Sequence, residues 1–368
     1  MDVRETRRAS FYRPELDVLR FGAFLLVFFY HGFPNNAAGY SSWGIPTILA
    51  TLLAAGSRAG ALGVDLFFAL SAYLITELLL REQRLKGRFD IRAFYARRIL
   101  RIWPLYYFVL LILLPVLALV MPNETMSGGF WLAFLFFAGN WACGWWSLYP
   151  TSFALLWTVS VEEQFYITWP WLLRWCGPRL PLCAIGMFAV ATATRIFLLL
   201  HHATYAAIWT NTLARMDPIA AGALLAWILG GSIPKNTLGV RVLWIGGGCT
   251  ALFIAGSALT VPGWIWLLTY PLSAAGCVAI LFGSFAPEHS SMPRILTYLG
   301  KISYGLYVFH AAAIRLVQTI FGPSLAGPGV LLIAFSLTVA AAAISYRYLE
   351  SPFLRWKNRF APVSTRAV

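Results

Sequence analysis

The sequence predicts an all-α polytopic membrane protein, with about ten transmembrane helices, one re-entrant or interfacial segment and both termini cytoplasmic. Three observations carry that expectation. Sixty per cent of the 368 residues are hydrophobic and 11% are charged, which is more apolar surface than a soluble core absorbs. Apolar runs recur at the length that crosses about 30 Å of hydrocarbon, roughly 20 residues each. The basic residues behind the formal net charge of +14 sit in alternate loops, which ties that charge to topology rather than to nucleic acid.

The spans read near 16–33, 58–80, 99–121, 153–175, 180–200, 211–230, 240–258, 263–285, 302–320 and 329–349. On that count the inner segments hold Arg4, Arg7, Arg8 and Arg13, the run from Arg81 to Arg101, Arg174 and Arg179, Lys235 and Arg241, Arg294 and Lys301, and Arg355, Lys357, Arg359 and Arg366. The outer loops at 34–57, 122–152, 201–210, 259–262 and 321–328 hold no Lys or Arg. A further apolar stretch, 130–146, would push the tail and several basic loops outside if it crossed, so it is expected to dip in and return. The expected organisation is a cytoplasmic segment 1–15, one transmembrane domain 16–350 and a basic cytoplasmic tail 351–368, all in the cytoplasmic (inner) membrane. Phe21 to Tyr30 has the length of a signal-peptide apolar region, but His31 interrupts it at once and Arg20 sits at the inner headgroups, which favours a retained helix. The five cysteines lack C-x-x-C or metal-site spacing, and neither a disulfide framework nor a metal is expected.

Ionisable groups at membrane depth are costly and mark functional candidates. In the first span Arg20 and His31 lie eleven positions apart, on roughly one face and about 16 Å apart along the axis. Arg20 reads either as functional or as a snorkelling anchor paired with Asp17; His31 reads as functional. In the second span Asp65 interrupts an apolar helix, with Arg58 on the same face, while Ser71 is expected to bond back to its own helix. Arg97, Arg98 and Arg101 crowd the first turns of the third span, where guanidinium forks match phosphate; as a plain topology signal they need no ligand.

"LLWTVSVEEQFY" carries the densest polar group. Ser160 and Glu163 have capping-box spacing, which leaves Glu162 over. With Gln164 and Tyr166, the two carboxylates suit binding a polyol acceptor or orienting a catalytic histidine. Arg215 and Asp217 point apart at i,i+2, so each needs a partner elsewhere. Tyr304, Tyr307, His310 and Arg315 lie in the ninth span, His310 reading equally as an interfacial histidine.

In order, "LDVLR" followed by His31, "GVDLFFALSAYLIT", "ARRILRIWPLYY", "LLWTVSVEEQFY", "RMDPIAAG", "LGKISYGLYVFH" and "YRYLESPF" resemble the acyltransferase 3 family of bacterial integral-membrane acyltransferases, over about residues 11–353. The resemblance implies transfer of an acyl group, commonly acetyl from acetyl-CoA, to a hydroxyl of a sugar, glycan or secondary metabolite. The family's essential arginine and histidine fall on Arg20 and His31, its basic stretch on Arg97, Arg98 and Arg101, and its S-V-E-E-Q-F-Y stretch on Ser160 to Tyr166. Members usually read S-G-F where this chain has Ser71-Ala72-Tyr73, which is expected to alter the acyl pocket or the acceptor preference. No esterase-like domain is expected to follow, so transfer is completed within the membrane domain.

The combined expectation is that acyl-CoA docks its phosphates on Arg97, Arg98 and Arg101 with help from Arg20. His31 then acts as general base, and Glu162 or Glu163 orients the imidazole or the acceptor. Asp65 joins the catalytic group; Gln164, Tyr166, Arg215, Asp217, Tyr304 and His310 contact substrate. Membrane lipid is the other expected partner. The competing class is a transporter or flippase for a glycolipid or metabolite, which would use the same buried charges as a relay.

Overall fold

The computed structural model describes residues 11–121, 124–148, 151–261, 263–286, 292–321 and 328–360. Arg4, Arg7, Arg8 and Arg366, expected on the inner face, lie outside the described residues, as does most of the loop at 321–328. Among the described residues the secondary structure is helical, with no strand.

Among the described residues six helical runs are long and apolar enough to cross a membrane: Thr47–Lys86, Ile91–Val120, Ala154–Leu200, Leu238–Ala258, Trp266–Ser284 and Pro328–Lys357. The spans expected at 153–175 and 180–200 fall in one of these runs, interrupted at Gly177. Helices at the expected spans 16–33 and 302–320 stand outside the six, the first carrying Glu15, Asp17 and Arg20, the second broken up by Tyr304, Tyr307, His310, Arg315 and Gln318. The helix at 211–230 is reduced to Asp217–Leu229, 13 residues.

In chain order the helices that build the site are α1 (Pro14–Gly32), α2 (Thr47–Ala59), α3 (Gly63–Lys86), α4 (Ile91–Phe108), α5 (Gly128–Leu135), α6 (Gly139–Trp146), α7 (Trp157–Cys176), α8 (Leu180–Leu200), α9 (Asp217–Leu229), α10 (Leu238–Ala258), α11 (Trp266–Ser284), α12 (Arg294–Lys301), α13 (Ser303–Phe321), α14 (Pro328–Ser345) and α15 (Ser351–Lys357). Local chemistry sets their ends. Pro14 occupies the first position of α1, where no amide hydrogen is needed. Asp90 caps α4 by accepting from the Ala93 amide at 3.1 Å, and Gly87, at φ +71°, ends α3 in the left-handed region. The ambiguous apolar stretch forms α5 and α6, eight residues or about 12 Å each, too short to span.

The first helix makes close backbone contacts with its neighbours. Gly60 and Gly63, where α2 turns into α3, face the carbonyls of Leu26 and Ala23, and Gly300 of α12 faces that of Asp17. A Cβ at Gly300 would collide with the Asp17 carbonyl. Close approach through small residues is how helices associate where lipid removes the hydrophobic drive. Gly300→Ala is therefore expected to destabilise the protein by about 1–3 kcal/mol, the usual cost of overpacking, read as an earlier thermal transition in detergent; an unchanged transition would show that α1 and α12 move apart freely.

Cys176 and Cys183 are disulfide-bonded, contrary to expectation. They share no recognised motif, but the chain reverses at Gly177, φ +49°, and brings their Cα atoms to 6.6 Å.

Candidate active site in two adjoining cavities

Two cavities flank α1. The first, basic cavity is lined by Arg20 of α1, Ser71 of α3, Arg98 and Arg101 of α4, Glu162 and Tyr166 of α7, and Tyr304 of α13. Arg20 keeps its helical partner, Asp17, at 3.0 Å and still reaches the cavity, so both readings of it hold together. Among the described residues neither Arg98 nor Arg101 is in an ion pair, and the Nε of Arg98 is buried without a hydrogen-bond partner. Arg98 lies 5.8 Å over the Tyr166 ring. Cations thus outnumber carboxylates in a partly enclosed space, an arrangement that attracts an anion. Lys357, at the end of α15, is buried although its position in the basic tail gives no sign of it.

Arg97 is turned away from this cavity. It pairs with Glu82 at 3.2 Å and donates to the Phe360 carbonyl at 2.6 Å, because its neighbour on the helix, Arg98, points about 100° round the axis. The segment expected as a tail is therefore tied back to α4. Ser71 does not bond to its own helix as expected: its hydroxyl donates to Glu162 at 2.8 Å, since the α7 carboxylate is the stronger acceptor across the cavity. Nor do Ala72 and Tyr73 reshape this cavity. Only Ser71 of the three faces it, while Tyr73 is buried against Phe285.

The second cavity holds His31, with Tyr30, Leu155, Trp157, Tyr205, Trp209 and Ala311 in its wall. His31 Nδ1 lies 3.0 Å from the Val27 carbonyl and 3.1 Å from His310 Nε2, and His310 Nδ1 lies 2.6 Å from the Tyr307 carbonyl. A carbonyl oxygen only accepts, so each neutral ring carries its hydrogen on Nδ1. The one Nδ1 hydrogen of His31 is then shared between the Val27 carbonyl and His310 Nε2, leaving a lone pair on His31 Nε2, which has no protein partner among the described residues. The group that orients His31 is thus a second histidine; neither Glu162 nor Glu163, the expected orienters, bonds to it.

Other expected site residues lie in the scaffold. Glu163 accepts from Trp103 Nε1 at 3.2 Å; the capping box is not formed, because α7 already begins at Trp157 and Ser160 lies within it. Gln164 bonds the Phe137 carbonyl, Asn140 and Thr212, pinning α6 to α7. Asp65 is fully buried in an ion pair with Arg215 and accepts from Ser273 at 2.6 Å, whereas Arg58, its expected neighbour, reaches the Asn35 carbonyl instead. Asp217 pairs with Arg195, whose place in an apolar run gives no sign of a partner. Among the described residues no group of three His, Cys, Asp or Glu could hold a metal ion.

These features define a multi-pass, all-helical membrane protein with a buried cationic cavity and an adjoining histidine pair. Residues 13–347 match the family profile described as an acyltransferase domain, and the chain belongs to the acyltransferase 3 family. It is 26% identical to the O-acetyltransferase OatA of Staphylococcus aureus strain NCTC 8325, over 96% of this chain and 60% of that protein. It is 28% identical to a candidate O-acetyltransferase, SAR0937, of S. aureus strain MRSA252, over 84% of this chain and 56% of that protein. The chain thus spans under two thirds of the length of these curated relatives. No solved structure matches it.

Proposed function

We propose that the chain is a membrane O-acyltransferase of the inner membrane. It takes an acyl group, acetyl in the first instance, from cytoplasmic acyl-CoA in the basic cavity and passes it to a hydroxyl of a sugar, glycan or secondary metabolite in the histidine cavity. The observation that carries this reading is the pair of cavity arginines, Arg98 and Arg101, neither of which is in an ion pair among the described residues. Arg20 adds to the field that a diphosphate would meet. The loops around the histidine cavity at 122–152 and 201–210 have no Lys or Arg, which supports an outward-facing acceptor side with both termini inside. Stacked Tyr205 and Trp209, 5.5 Å between centroids, supply an apolar face suited to a sugar ring.

In the proposed step the acceptor hydroxyl gives its proton to His31 Nε2 as its oxygen attacks the thioester carbonyl. The carbon–sulfur bond then breaks, and the thiolate leaves with that proton, returned from the imidazolium. His310, with the Val27 carbonyl, holds the tautomer, and Glu162, fixed by Ser71, offsets part of the repulsion among the arginines. The test is radiolabel transfer and acyl-CoA binding by purified protein in lipid nanodiscs. Arg98→Ala is expected to weaken donor binding about 10- to 100-fold, the worth of one or two charge-assisted hydrogen bonds. A wild type that neither binds nor turns over any acyl-CoA would remove the acyl-transfer reading and leave transport in its place.

A further inference from the structure

The two cavities share two wall residues, Val64 and Tyr307. Tyr307, in the second half of "ISYGLYVFH", carries no role in the sequence reading beyond its place in the ninth span, yet it stands where the two spaces meet. Its side chain is buried, its edge packs on Phe67 at 5.8 Å between centroids, and its backbone carbonyl is the one that fixes His310.

The hydroxyl of Tyr307 closes a small triangle. It lies 2.8 Å from Thr158 Oγ1 and 3.2 Å from the Leu155 carbonyl, and Thr158 Oγ1 lies 2.9 Å from that same carbonyl. Two hydroxyl hydrogens serve three contacts, so one hydrogen joins the hydroxyls and the other reaches the carbonyl. Thr158 lines the basic cavity and Leu155 the histidine cavity, which sets the triangle across the boundary. Swinging the ring aside breaks side-chain bonds only and leaves the α13 backbone that holds His310 intact.

From this geometry we infer that Tyr307, latched by Thr158 and Leu155, is a gate between the donor and acceptor cavities and selects the acyl group by its cross-section. For its substrate the gate rests on the acyl-transfer reading; its position does not. A thioester arm entering from the basic cavity must displace one aromatic ring to bring its carbonyl to His31. An opening one ring wide admits acetyl and resists acyl groups branched beside the carbonyl. Closed, the ring keeps water in the histidine cavity from the donor thioester.

The experiment uses the full chain carrying Cys249→Ser and Ala311→Cys, reconstituted in sealed vesicles with the basic cavity facing outward. Ala311 lines the histidine cavity, so a membrane-impermeant, charged thiosulfonate added outside reaches position 311 only through the gate. Tyr307→Ala is expected to speed labelling at least about tenfold, and Thr158→Val, which loosens the latch without removing the ring, to speed it severalfold. In parallel, Tyr307→Ala is expected to raise the ratio of isobutyryl to acetyl transfer about tenfold, with more thioester hydrolysis in the absence of acceptor.

Labelling that is unchanged in both variants overturns the gate, whatever the donor. Faster labelling with an unchanged isobutyryl-to-acetyl ratio overturns selection by cross-section. Faster labelling in a protein that handles no acyl-CoA upholds the gate and refutes the acyl-transfer reading on which its substrate rests. Should Tyr307→Ala fail to fold, Thr158→Val alone decides, because its effect on labelling is required by the latch.

Discussion

His31→Ala is expected to lower acyl transfer by about 10²- to 10⁴-fold, the range a positioned general base supplies, while acyl-CoA affinity changes by less than about twofold. The separation follows from the two cavities: the arginines of the basic cavity line a space that His31 does not. The expected pattern is thus a fall in kcat with an unaltered donor Kd, measured by single-turnover transfer beside equilibrium binding. His310→Ala gives a smaller loss, because it removes one of two acceptors for the His31 Nδ1 hydrogen and leaves the Val27 carbonyl. His310→Gln restores part of that loss if its amide oxygen can take the same hydrogen. Equal loss of donor binding in His31→Ala would place the histidine in the donor site and dissolve the division of labour.

The second large effect is on stability. Arg215 and Asp65 are both buried, and the guanidinium also lies 4.1 Å over Trp209 and 4.8 Å over Tyr270. Removing one partner leaves an uncompensated charge at membrane depth, at a cost of about 3–5 kcal/mol. Arg215→Met is therefore expected to shift the unfolding transition sharply or to yield little folded protein. The double variant Asp65→Leu/Arg215→Met recovers most of the loss, since replacing a whole buried pair by apolar groups is often neutral. Size-exclusion profiles after graded heating distinguish these outcomes. A double variant that folds and still transfers acyl groups would free Asp65 from the catalytic role its sequence context gave it; a folded but inactive one would return it there.

The charged residues at membrane depth were legible one by one in the sequence, and their partners mostly were not. Periodicity states which face of a helix a residue occupies, and for Arg20 and His31 one face leads to two cavities. It does not state which helix lies opposite. The partner of Arg215 is 150 positions away and that of Asp217 is Arg195, so the i,i+2 rule could exclude their pairing with each other but not name the alternatives. Ser71 was assigned to its own backbone because that acceptor is always present in a helix, whereas Glu162 arrives only through packing. The Asn140, Thr210, Thr212 and Gln164 network likewise joins residues that carry no shared pattern along the chain. Arg97, Arg98 and Arg101 looked equivalent in sequence; Glu82 and Phe360 claim the first and leave the other two to the cavity.

The glycine contacts around α1 make that helix a ruler. Backbone packed on backbone has no rotamers with which to absorb a shift, so the interval from Arg20 to His31 is fixed by residue count rather than by the side chains between them. Apolar residues within the interval can drift from one to another. Adding or deleting one would turn one mark on the ruler by about 100° and slide it about 1.5 Å, and the two chemistries would no longer lie along one path.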